Sequence, residues 1–209
     1  MIALFGGTFD PIHLGHLNMA HQCVEELKLT QLYFLPCAVP VHKMQPGITD
    51  AHRLAMLSLA IKDNTKFSID RREITRQGPS YSLLSLRECR AEHPNTPLLF
   101  LMGMDSFNSL PSWFEWQEIT SLCHIIVYQR PYERLSNQAK LAQYLKVSKT
   151  SHIEALNQQI GGLCYFLTGS TFNAASSDIR KRIKNSENMK HLLNSRVIDY
   201  INEYHLYAE

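Results

Sequence analysis

Two histidines, His13 and His16, stand three residues apart, just after the pair Gly6-Gly7, in the stretch ALFGGTFDPIHLGHL. At a helix entrance, residues with this spacing face the same side. Neutral imidazoles there offer N–H donors to phosphate oxygens. A glycine pair lets the backbone approach an anion closely, and the following helix aims its N–H groups and positive dipole end the same way. Asp10-Pro11 adds a rigid turn that would aim the first imidazole. The chemistry within reach is therefore anion binding with hydrogen-bond donation to a phosphoryl group. Two close histidines can also hold zinc, but no Cys, His or Glu cluster in the sequence completes a metal shell. The glycines form neither G-x-G-x-x-G nor G-x-x-x-x-G-K-[ST], which excludes a dinucleotide fingerprint and a P-loop in this segment. On these residues alone, the stretch is either a phosphate cradle or a tight strand-to-helix turn.

A second candidate lies far along the chain in AASSDIR, Ala174 to Arg180. Ser176 or Ser177 would cap a helix whose first N–H groups can bind phosphate oxygens, and Arg180, one turn in, could make a forked contact with a phosphate. The plainer reading is a Ser-capped helix with a solvated basic face. Trp113, Phe114 and Trp116, taken alone, read as core residues or an exposed patch.

These groups need elements to position them. Met1 to Phe5 is an apolar run that suits a buried parallel strand, and Leu14 to Leu27 carries helical spacing. The pattern repeats with a strand at Leu32 to Leu35, a Pro-containing loop from Pro36 to Gly47 and a helix through Arg53 to Ile61. Phe67 to Ile69, Leu98 to Met102, Ile125 to Tyr128 and Leu163 to Leu167 are further strands, and Tyr81 to Ala91 is a helix. The chain closes with helices from Ser177 onward and near Val197 to Tyr204. This alternation predicts an α/β fold: an open parallel sheet with helices on both faces and a small C-terminal helical part from about residue 175. One domain spans residues 1–209, with Arg130 to Gly162 as a peripheral excursion containing a helix around Gln138 to Tyr144. In such sheets ligands bind beyond the carboxyl ends of the strands, where the loop from Gly6 to His13 falls.

Composition narrows the class without selecting an activity. The 209 residues are 44% hydrophobic, enough for a real core, and the formal net charge of +2 gives no bulk attraction to nucleic acid or membrane. No run approaches the roughly 18 apolar residues of a membrane span, and the N-terminus carries no basic leader. The five scattered cysteines form no C-x-x-C pair and read as reduced thiols, so the expectation is a soluble cytoplasmic protein. Tyr204 and Tyr207 read as packing or interface residues, and homo-oligomer formation stays open.

GGTFDPIHLGH resembles the signature of the nucleotidylyltransferase superfamily marked by H-x-G-H, which transfers a nucleotide from a nucleoside triphosphate on a Rossmann-like fold. AASSDIR resembles that superfamily's second motif, I-S-[ST]-T-x-[IL]-R. Ala174, Ala175 and Ser177 depart from the pattern; Ala175 removes one hydroxyl contact and leaves the backbone cradle. VPVHK, GPSYSLLSL, MGMDSFNSLPSWFEW and Arg130-Pro131 are similar to segments of the nicotinate mononucleotide adenylyltransferases. The resemblance implies adenylyl transfer from ATP to nicotinate mononucleotide, giving deamido-NAD and pyrophosphate. His16 and His13 would be the catalytic pair. ATP would be held by Gly6, Gly7, Thr8 and Phe9, by the two histidines, by Gly103 and Asp105, and by Ser176, Ser177 and Arg180. Nicotinate mononucleotide would meet Lys43, Tyr81, Ser82, Asp105 and Arg130, with Trp113 stacked on the pyridine ring. Mg²⁺ would be carried mainly by phosphate oxygens and waters, without a protein cage. The alternatives are a preference for the amide, a phosphopantetheine adenylyltransferase, and a catalytically silent nucleotide-binding regulator.

Overall fold

The computed structural model describes residues 1–38, 47–129, 134–169 and 172–208. The elements run β1 (Ile2–Gly7), α1 (Leu14–Glu26), β2 (Leu32–Pro36), α2 (Asp50–Ile61), β3 (Phe67–Ile69), α3 (Arg72–Thr75), α4 (Ser82–Glu92), β4 (Leu98–Gly103) and α5 (Met104–Ser109). They continue with α6 (Trp116–Leu122), β5 (His124–Tyr128), α7 (Ala139–Ser148), β6 (Lys149–Thr150), α8 (Ile153–Gln158), β7 (Cys164–Phe166), α9 (Ser176–Lys184) and α10 (Ser195–Glu203). The strands form one sheet in the order β3-β2-β1-β4-β5-β7-β6, and every pair is parallel.

The period-two alternation of a strand divides the core between the two faces of this sheet. Ala3 and Phe5 of β1 join Phe34, Leu99, Leu101 and Ile126 against α1, α2, α9 and α10. Leu4, between them, joins Phe100, Met102, Ile125 and Val127 against α4, α5 and α6. Burying a side chain of this size contributes about 2 kcal/mol, so helices cover both faces, as the alternating pattern predicts.

Two expectations need correction. The excursion from Arg130 to Gly162 is not wholly peripheral, because Lys149 and Thr150 pair with Cys164 and Tyr165 and form the sheet's edge strand. Leu141 and Leu156 from the same region are fully buried. The glycine pair is not the turn either: Gly6 and Gly7 are the last residues of β1, in register with Leu35 and Pro36. All five cysteines are free, and burial pushes the thiols of Cys23 and Cys123 well up. Among the described residues no helix is long and apolar enough to cross a membrane.

Strand order locates the site. From β1 the chain steps outward through β2 and β3, then returns to place β4 on the other side of β1. The sheet therefore reverses its winding between β1 and β4, and a crevice opens beyond their carboxyl ends, at Gly7 and Gly103.

Candidate active site

The end of β1 is shaped by two rings. A Cβ on Gly6 would lie 3.0 Å from the Phe100 ring, and one on Gly7 would lie 2.8 Å from the Phe9 ring. The glycines are therefore required for close packing rather than for turning. The turn is made by Phe9, a non-glycine residue at φ 49°. Such a backbone costs on the order of 1 kcal/mol and persists only where its surroundings fix it. Here the buried Phe9 ring stands edge-on to Phe5 at 5.4 Å and to His16 at 5.1 Å.

The two histidines are brought together as the spacing predicts. His13 is the N-cap of α1, and its Nδ1 accepts the backbone N–H of His16 at 3.3 Å. An imidazole that accepts at Nδ1 carries its ring proton on Nε2. The His13 and His16 rings stack with centroids 3.6 Å apart, and both line the crevice. His13 is thus a fixed platform, and His16 is the more accessible of the two.

The second motif folds against the first. Ala175, not Ser176 or Ser177, is the N-cap of α9, and no side chain caps this helix. The reason is that the Ser176 hydroxyl donates to the Pro11 carbonyl at 3.1 Å. Arg180 donates from Nη1 to the Asp10 carbonyl at 2.7 Å and lies 3.6 Å from the Asp10 carboxylate. The uncapped first turn and the half-exposed Arg180 side chain both border the crevice.

Together these pieces enclose a cleft of about 620 Å³. Its walls are the β1 turn from Gly6 to Asp10, His13 and His16, the β4 end at Gly103, Asp105 and Ser106, and Ala175 to Ser177 with Arg180. A second, more apolar hollow adjoins it and shares Gly6, Gly7, Thr8, Met102 and Ser106. Phe100, Trp113, Phe114, Tyr81 and Ser82 line this hollow. The Trp113 ring meets Phe100 edge-on at 6.4 Å, while its Nε1 donates to Ser109 Oγ at 3.2 Å. Trp116, by contrast, is a core residue packed on Tyr144. Lys43 and Arg130 lie outside the described residues.

Two contributors were not foreseen. Arg53 is completely buried in α2 and donates to the carbonyls of Thr8 and Cys37, both at 2.6 Å. It shares the apolar stripe of Met56, Leu57 and Ile61, and a charge on that stripe was the available signal. Glu73, buried at the edge of the hollow, accepts from the Ser85 hydroxyl at 2.7 Å and is also hydrogen-bonded by Ser80. Burial pushes its carboxyl above the ordinary range, against the opposing effects of Ser85 and Arg76. No pattern in the sequence marks it.

A polar cleft that suits a triphosphate therefore joins an aromatic hollow that suits a flat ring. Residues 4–182 match the model of the cytidylyltransferase-like family. A protein of Shigella boydii serotype 18 named probable nicotinate-nucleotide adenylyltransferase is 40% identical over 207 residues, 98% of this chain and 97% of that one. A protein of the same name from Methylococcus capsulatus is 37% identical over 210 residues, covering 100% of both chains. In fold, the chain resembles Plasmodium falciparum nicotinic acid mononucleotide adenylyltransferase complexed with NaAD, with a TM-score of 0.72 at 22% identity over 99% of this chain and 97% of that one. The chain belongs to the cytidylyltransferase-like family and, within it, to the nicotinate-nucleotide adenylyltransferases.

Proposed function

We propose that the protein transfers the adenylyl group of ATP to nicotinate mononucleotide, forming deamido-NAD and releasing pyrophosphate, in the cytoplasm as a step of NAD biosynthesis. One observation carries this reading above the others: the polar cleft with both histidines and the aromatic hollow with Trp113 share one wall, Gly6 to Thr8. A triphosphate in the first and a pyridine ring in the second would meet at that wall.

In the reaction, an oxygen of the acceptor's 5′-phosphate attacks the α-phosphorus in line. A new P–O bond forms as the bond to the β-phosphate oxygen breaks, and pyrophosphate carries away the electron pair. The protein's part is to hold two anions at bonding distance and meet the charge that builds on the transferring group. His16 donates to the α-phosphate oxygens as that charge grows. His13, whose Nδ1 is committed to α1, offers Nε2–H to the triphosphate. The α9 N–H groups and Arg180 receive the pyrophosphate end, and Lys43 bridges the phosphates of the two substrates. Trp113 stacks on the pyridine ring beside Tyr81 and Ser82, and Arg130 completes the acceptor side.

Mg²⁺ fits the donor set of the cleft. The carboxylate of Asp105 is exposed there, and such a metal is usually bound by one or two carboxylates, waters and substrate phosphates. When bound it neutralises phosphate charge. Among the described residues, the cluster of three potential ligands, Cys89, Glu92 and His93, sits at the other end of α4 and has no part in the cleft.

The test is pyrophosphate release from ATP and Mg²⁺ with nicotinate mononucleotide as acceptor. Turnover that requires both substrates supports the reading. Release with neither this acceptor, its amide nor phosphopantetheine would favour a silent nucleotide-binding regulator.

A further inference from the structure

Asp10 is held from two directions. Arg180 binds its carbonyl from α9, while the hydroxyl of Tyr207, nearly two hundred residues away in sequence, donates to its Oδ1 at 2.7 Å. The Asp10 side chain is only 6% exposed, so water does little to satisfy its carboxylate. The turn that delivers Tyr207 has a specific build. After α10, His205 and Tyr207 both adopt left-handed backbone, at φ 50° and 65°. Between them Leu206 is buried in the core and donates to the Ile201 carbonyl at 3.0 Å. Two non-glycine residues in this region are maintained only where the surroundings over-determine them. Tyr204, three residues earlier, stays exposed against Tyr200 and His52. The two tyrosines therefore differ in kind: one covers a helix surface, and the other is turned into the nucleotide loop.

We infer that Tyr207 is a positioning residue of the nucleotide site, whose hydroxyl occupies the Asp10 carboxylate and so leaves the Arg180 guanidinium available to the triphosphate. The inference rests on the ATP site proposed above. Without the phenol, Asp10 keeps a buried carboxylate whose nearest cation is Arg180, 3.6 Å away. A desolvated carboxylate that loses a donor draws the nearest cation toward it. Arg180 then closes onto Asp10 and is withdrawn from the β- and γ-phosphates. The cost falls on the nucleotide and spares the acceptor, whose hollow touches neither residue.

Tyr207→Phe removes only the hydroxyl and leaves the ring to pack. Binding of adenosine 5′-(α,β-methylene)triphosphate, followed by calorimetry, should weaken roughly tenfold, the scale of one hydrogen bond to a charged group. The KM for ATP should rise in step, while the acceptor KM stays within about twofold and the thermal midpoint within roughly 3 °C. In an Asp10→Asn background no carboxylate remains to capture Arg180, so adding Tyr207→Phe should change nucleotide affinity by less than about twofold. Unchanged analogue affinity in Tyr207→Phe would overturn the inference while leaving adenylyl transfer intact. Equal weakening of both substrates with a falling midpoint would also overturn it, by making Tyr207 a general support. If wild-type protein binds no analogue at all, the inference and the ATP site fall together.

Discussion

Arg53, wholly buried, donates to the carbonyl of Thr8 at 2.6 Å and thereby ties α2 to the loop that leaves β1. Its other terminal nitrogen reaches Cys37 at 2.6 Å and Asp50 at 2.5 Å, so one guanidinium joins the loops that follow β1 and β2. Thr8 and Cys37 both line the aromatic hollow, and Thr8 also lines the polar cleft. Arg53→Met should strand two carbonyls and cost about 3 kcal/mol of stability in urea denaturation. Arg53→Lys should recover part of that loss. Because Thr8 borders both the cleft and the hollow, both KM values should rise in the variants that fold, and a change confined to one would contradict this role.

His16 and His13 should separate by kind of effect. His16→Ala should lower kcat by roughly 10²-fold to 10³-fold, the range for removing one donor to developing charge, with a far smaller change in ATP affinity. His13→Ala should also remove the N-cap of α1, at about 1 kcal/mol. Steady-state kinetics with thermal denaturation distinguishes the two. Wild-type turnover in His16→Ala would remove that residue from the mechanism.

Trp113 should act on the acceptor alone. Its ring is half-buried at the side of the hollow, steadied by Phe100 and Ser109, and stacking of this kind contributes about 1 kcal/mol beyond area burial. Trp113→Ala should raise the acceptor KM at least about fivefold to tenfold and leave the ATP KM nearly unchanged. A matching rise in both would place the ring elsewhere in the reaction.

Much of this architecture can be read from the sequence, for physical reasons. The strands β1, β2, β4 and β5 are short apolar runs because they are buried on both faces, and their length and flanking turn residues identify them. The pairing of His13 with His16 follows from helical geometry. The edge strand β6 does not, because two residues, Lys149 and Thr150, carry no periodicity. The sequence leaves the structural role of Gly6 and Gly7 open, because glycine permits either a turn or a close approach, and only the neighbouring rings of Phe9 and Phe100 decide which. Ser176 looked like a cap because its partner, the Pro11 carbonyl, is distant in sequence. Tyr207 shares that property, since its partner Asp10 lies at the other end of the chain, whereas Arg53 shows in the sequence only as a charge on an apolar helix stripe.

Glu73 makes stability depend on pH in a defined direction. Burial raises its carboxyl above the ordinary 4.5, so between that value and the folded-state value the folded protein holds a proton that the unfolded chain has lost. Stability from this group is complete below 4.5, falls as pH rises through the window and is level above it. Glu73→Gln removes the dependence. Denaturation midpoints across a pH series should therefore shift progressively in favour of the glutamine variant as pH rises, and parallel curves would contradict the assignment.

The most direct test of the proposed reaction is a single vessel holding the protein, ATP, Mg²⁺ and equal concentrations of nicotinate mononucleotide, nicotinamide mononucleotide and phosphopantetheine, with products read by mass. The account predicts deamido-NAD as the dominant early product, with one pyrophosphate released per molecule formed. Dephospho-coenzyme A or NAD in its place, or no adenylylated product, would contradict it.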